Sequence, residues 1–171
     1  NFLGMHVRTL AALGAFVTTG GNGPPINNLG TLAGTYKTPA IHVEVSGVFT
    51  NTTPTCPYRG AGRPEAAYII ESLVEAAAQK LGRDPADLRR QNTISPDAMP
   101  FKTGLVFTYD CGEFENNLND GLEMIDYAGF EARRAEAETR GKIRGIGISN
   151  TIERAGGPSM EEATVRIDKT G

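Results

Sequence analysis

The chain lacks an apolar run long enough to cross a membrane, a paired-cysteine motif and a surplus of positive charge. Its longest apolar stretches, around Leu10 to Val17 and Ala66 to Ala78, are broken by Gly, Glu and Gln. Both fall short of the roughly 18 to 20 residues that a spanning helix needs, so no membrane role is expected. With 17 Lys and Arg against 20 Asp and Glu, the net charge is -3, which supplies no global basic field to draw in nucleic acid. The two cysteines, Cys56 and Cys111, lie far apart without a CxxC pair. The two histidines are His6 and His42, so the sequence shows no zinc-ligand spacing and no metal ligand is assigned. Both thiols read as inert or partly buried. So few cysteines, with no signal peptide in view, suit a cytoplasmic protein.

What is present suits an ordinary globular chain. At 171 residues and 39% apolar content it can bury a core of its own. From Phe2 to Thr9, Leu3, Met5, Val7 and Thr9 fall on one side and His6 and Arg8 on the other, the period-two pattern of a half-buried strand. Residues 18–28 are rich in Gly, Pro and small polar residues and read as a loop. Ile41 to Phe49 alternates again with β-branched residues. The clearest helix carries Ile70, Leu73, Val74, Ala77 and Leu81 at helical spacing, with Pro64 at its first position, Glu65 in its first turn and Gly82 as its stop. Asp84 caps a second short helix that opens on Pro85 and carries Arg89 and Arg90 toward its end.

Further on, Leu105 to Tyr109 reads as a short strand, and Phe114, Leu118, Leu122 and Ile125 as a helical face. Asp126 is expected to cap a helix running to about Arg140 and stopped by Gly141. Ile143 to Ser149 and Ala163 to Ile167 read as strands, with a turn at 168–171. The fold class expected is α+β, with mixed sheets, helix pairs packed on one face and no strict βαβ alternation. The start at Asn1 inside a strand pattern, and a final turn with no strand after it, suggest a piece of something larger.

The segment most suited to chemistry is Arg59-Gly-Ala-Gly-Arg63, directly before the first long helix. Gly60 and Gly62 let backbone approach a ligand, and the free amides of a helix start favour an anion. A tight structural turn explains the same glycines. The third Gly of a dinucleotide fingerprint and the Lys-Ser/Thr of a phosphate loop are both missing.

Pro54 to Ala66, read as PTCPYRGAGRPEA, resembles the active-site loop of molybdenum hydroxylase large subunits, the xanthine dehydrogenase, aldehyde oxidase and carbon monoxide dehydrogenase family. The likeness continues upstream through Tyr36 to Pro39 and Val48 to Asn51, and downstream through Asp84 to Asn92, Glu123 to Phe130 and Gly141 to Ile148. By this resemblance the chain is an internal fragment of the molybdopterin-binding region, with residues 1–141 one subdomain and 142–171 the start of the next. Arg59, through its main chain, Gly60 and Gly62 are then cofactor-binding, and Ala61 belongs to the substrate pocket.

Gly60 stands where copper-bearing relatives carry a cysteine, and Cys56 is four residues too early. Ala61 and Asn27 stand where purine-oxidising relatives place Phe and Arg. The implied substrate is therefore an aldehyde or an N-heterocycle, hydroxylated with water-derived oxygen. The implied partners are the remainder of the large subunit and the iron-sulfur and FAD segments or subunits. The family's base glutamate follows a Gly-x-Gly pair, whereas Gly145-Ile-Gly-Ile148 carries Ile there, so no catalytic residue is assigned and no autonomous turnover is expected. Exposed subunit-facing surface would also favour self-association. The alternative is a stand-alone, non-catalytic binding or assembly module of the same fold. The remaining candidates read as structural: Glu136, Glu138, Glu161 and Glu162 as solvated charges, Asp110 and Glu113 as a surface turn, and His42 as a packed or hydrogen-bonded strand residue.

Overall fold

The computed structural model describes residues 1–153 and 162–170. Strands β1 (Met5–Ala12) and β2 (Ile41–Val48) pair in parallel, in register from Met5 opposite Ile41 to Ala12 opposite Val48. The first strand thus starts and ends three residues later than the alternation from Phe2 to Thr9 suggested. Parallel neighbours require a crossover, and this one contains α1 (Gly23–Thr31). The loop expected over 18–28 therefore gives way to helix at Gly23. Proline's fixed φ suits a first helical turn, where an amide has no partner to lose, and Pro24 and Pro25 sit there. The result is a single β1–α1–β2 unit in a chain with no strict βαβ alternation.

The longest helix, α2 (Arg63–Leu81), begins one residue before Pro64 and ends on Gly82 at φ 60°, whose amide bonds back to the last turn. Its buried face is Ala66, Ile70, Glu71, Val74 and Ala78. That face is rotated from the stripe read in the sequence, and Leu73 and Leu81 are exposed. Fully buried Ala66 and Ala78 allow close approach of neighbouring backbone, while Glu71 turns inward toward a cation. Val7 of β1 packs with Leu32 and Ala66, and Ile70, Val74 and Ala78 pack with Tyr36 and Leu88. Helix α3 (Pro85–Asn92) is capped as expected: the Asp84 carboxylate accepts from the amides of Ala86 and Asp87.

A second, antiparallel pair joins β3 (Phe101–Lys102) to β4 (Thr108–Tyr109), so only the end of the strand expected over 105–109 is paired. Helix α4 (Phe114–Met124) buries Phe114, Leu118 and Leu122, while Ile125 lies past its end and is half exposed. Asp126 caps a single 3₁₀ turn (Tyr127–Gly129) rather than a full helix, and α5 (Phe130–Thr139) follows, closing on Gly141 at φ 67°.

Neither Ile143 to Ser149 nor Ala163 to Ile167 forms a strand. Period-two alternation marks backbone suited to a sheet, but a strand also needs a neighbour to hydrogen-bond, and none pairs with them among the described residues. The architecture is a mixture of helices and two small sheets.

Candidate functional site

Tyr58 to Arg63 form two overlapping turns, closed by Ala61 N–H donating to Tyr58 O at 2.8 Å and Arg63 N–H to Gly60 O at 2.9 Å. Three consecutive residues take left-handed backbone: Gly60 at φ 87°, Ala61 at 44° and Gly62 at 102°. Glycine adopts this region freely, but for Ala61 it costs roughly 1–2 kcal/mol. The glycines were legible as turn residues; the strained alanine between them was not. Among the described residues, the amides of Arg59, Gly60 and Gly62 donate no hydrogen bond. A Cβ on Gly60 would lie 2.6 Å from Cγ and Cδ of Pro64, so the ring at the helix start closes over the turn.

This turn lines a cleft of about 480 Å³ between the end of β1, the first turn of α1 and the start of α2. Arg59 and Ala61 line it, with Tyr58, Cys56, Pro24 and Glu65. Glu65, read only as a dipole partner, is thus also a cleft carboxylate. The Gly/Pro-rich stretch forms the opposite wall because two threonines clasp it to the segment before Arg59. Thr18 Oγ donates to Thr55 O at 2.6 Å, and Thr55 Oγ donates to Gly21 O at 2.9 Å. Asn27 is exposed on α1 and does not line the cleft.

Other sequence candidates stay apart from it. Both cysteines are exposed rather than partly buried; Cys111 has its thiol pushed up by a hydrogen bond to Asp110 and by that carboxylate's charge. Asp110 accepts from the Cys111 amide and Glu113 from Asn116, and the two carboxylates do not pair with each other. Glu136 and Glu138 lie exposed beside Arg140 and Arg134, and Glu162 is exposed. Glu161 lies outside the described residues.

Two clusters escaped the sequence reading. The first is buried. Arg89, read as a helix-end charge, is 0% exposed. Its Nε donates to Glu71 Oε2 at 2.9 Å, and its remaining donors reach Glu75, Pro85 O and Ile148 O. Glu71 also accepts from Tyr36 Oη at 2.5 Å and from the Asn150 amide at 3.1 Å. Burial, then the Glu71 carboxylate, raises the Tyr36 phenol far above its usual pKa. Burial pulls the Arg89 guanidinium down, but Glu71, Tyr36 and Glu75 together outweigh it and the net shift is upward.

The second cluster lies on the exposed face of the β1–β2 pair. His6 and His42 are register partners, and Glu44 lies opposite Arg8. Glu44 Oε1 is 3.0 Å from His42 Nε2 and 3.4 Å from His6 Nε2, while Arg8 Nε is 3.3 Å from Oε2. Hydrogen bonds from His42 and then His6 hold the Glu44 carboxyl below its usual range. His42 is therefore hydrogen-bonded, as read, but exposed rather than packed.

Comparison with known proteins places the chain in a family. The family model of the molybdopterin cofactor-binding domain matches residues 1–93. Over 99% of its length the chain is 33% identical to the carbon monoxide dehydrogenase large chain of Hydrogenophaga pseudoflava, covering 23% of that protein. Reconstituted CO dehydrogenase from Oligotropha carboxidovorans matches with a TM-score of 0.70 at 32% identity, over 82% of this chain and 18% of that one. Quinoline 2-oxidoreductase from Pseudomonas putida 86 matches at 0.68 and 33% identity, over 78% of this chain and 17% of that one. The chain thus spans less than a quarter of each relative's length. On the domain match and the identity it shares with these relatives, the chain belongs to the molybdopterin cofactor-binding domain family of molybdenum hydroxylase large subunits.

Proposed function

We propose that this chain supplies one wall of a molybdopterin site, with Arg59, Gly60 and Gly62 contacting the cofactor through backbone and Ala61 facing the substrate pocket. The observation that carries the reading is the left-handed turn at the cleft, whose amides at 59, 60 and 62 have no partner among the described residues. Unpartnered amides beside a helix start, two of them on glycines, fit an anionic, oxygen-rich group. Arg59 in the same cleft adds positive charge. When bound, that group supplies the two-electron redox chemistry by which the intact protein would hydroxylate an aldehyde or N-heterocycle with water-derived oxygen.

The chain's own part is to bind, orient and enclose. Pro64 closes over Gly60 and fixes the turn, and the Thr18–Thr55 clasp holds the opposite wall. Gly60 offers no thiolate for a second metal. Glu65 is exposed in the first turn of α2, and no catalytic base is assigned to this chain. Turnover is therefore expected only with the remainder of a large subunit and with iron-sulfur and FAD partners, in the cytoplasm.

The test is the molybdenum and pterin content of the intact protein, wild type against Gly60→Val. The φ of 87° and the Pro64 ring both oppose a valine there. Cofactor retention should fall about ten- to a hundredfold, equivalent to ~1–3 kcal/mol of lost preorganisation, with circular dichroism unchanged. Unchanged cofactor content would reduce the loop to a structural turn.

A further inference from the structure

On the face of the β1–β2 pair opposite Val7, which packs into the core, two imidazoles and a carboxylate converge. One ring nitrogen each of His6 and His42 and one carboxylate oxygen of Glu44 all lie within 4.8 Å of one another. We propose that they form a binding site for a divalent transition metal of the zinc type, with the remaining coordination position open to water.

Several observations carry this. Zinc bonds of about 2.0–2.1 Å in tetrahedral geometry place neighbouring ligand atoms about 3.3 Å apart. The carboxylate oxygen already stands 3.0 Å and 3.4 Å from the two nitrogens. A small rotation of the exposed rings, whose centroids are 5.1 Å apart, completes the triangle. The ligand set has the right chemistry, since imidazole nitrogen with one carboxylate oxygen favours zinc, copper or nickel over calcium or magnesium.

Arg8 occupies the other carboxylate oxygen, Oε2, at 3.3 Å, which leaves Oε1 as a one-oxygen ligand and fixes its direction. The ligands come from rigid, paired strands in fixed register rather than from a loop. Metal binding would replace the contacts that the two Nε2 atoms now make with Oε1, and would bridge the strands across their ladder.

The experiment is a calorimetric titration of the EDTA-washed intact protein with Zn²⁺, comparing wild type with His6→Ala and His42→Ala. Both rings are exposed, so neither change threatens folding, and neither residue belongs to the cleft. Wild type should bind one zinc equivalent that each variant weakens by at least about tenfold. Co²⁺ should give wild type visible ligand-field bands that both variants lose. Superimposable isotherms for wild type and variants, or Co²⁺ bands that survive both substitutions, would overturn the proposal.

Discussion

The chain contains two clusters built from nearly the same parts, an arginine, a glutamate and ring donors, in opposite surroundings. Glu71 is 6% exposed and Arg89 is 0% exposed; Glu44 and Arg8 stand in solvent. In water, holding two charged side chains together gains little over their hydration, whereas in the interior each lost partner leaves a desolvated charge. The buried cluster is therefore structural, joining α2, α3 and the residue 148–150 segment. The exposed cluster can exchange its contacts for others at little cost.

The sharpest way to break that contrast is Arg89→Ala. It should destabilise the protein by about 3–5 kcal/mol, because Glu71 would remain buried with no cation. For a chain of this size that is a fall in thermal midpoint of roughly 6–20 °C. Chemical denaturation followed by circular dichroism checks it, and a loss below ~1 kcal/mol would mean that water reaches Glu71. Tyr36→Phe probes the same carboxylate more gently. It removes the donor at 2.5 Å from Oε1 and should cost about 1–3 kcal/mol in the same assay. The smallest effect is expected from Arg8→Ala on the exposed face, within about 0.5 kcal/mol. A cost approaching that of Tyr36→Phe would show that the outer cluster is not solvated as its exposure implies.

What could be read from the sequence was what depends on neighbours along the chain. Asp84 followed by Pro85 needs only the next two amides to act as a cap, and Gly82 and Gly141 need only their own φ. The turn at Arg59 was visible because its glycines are close in sequence, and the cleft it lines was not, since Leu13, Pro24 and Thr55 reach it from separate segments. Composition misled at α1, where two prolines that suit a helix start look like loop residues. Glu71 with Arg89, and His6 with His42, are partnerships made by packing and strand register. No local spacing encodes them, so a buried ion pair looked like a helix-end charge and the histidines looked unrelated. The pattern at 143–149 had the right period, but alternation describes a face and cannot supply a partner strand.

The parallel register has one more consequence. Because side chains alternate along a strand, sliding β2 by one residue would carry His42 and Glu44 to the inner face and expel Val43 and Val45 from it. One imidazole and a carboxylate would then sit against Leu32 and Ala66 with no partner for their polar atoms. The outer cluster thus makes misaligned pairing costly, so the side chains we assign to a metal also help the nascent sheet choose its alignment.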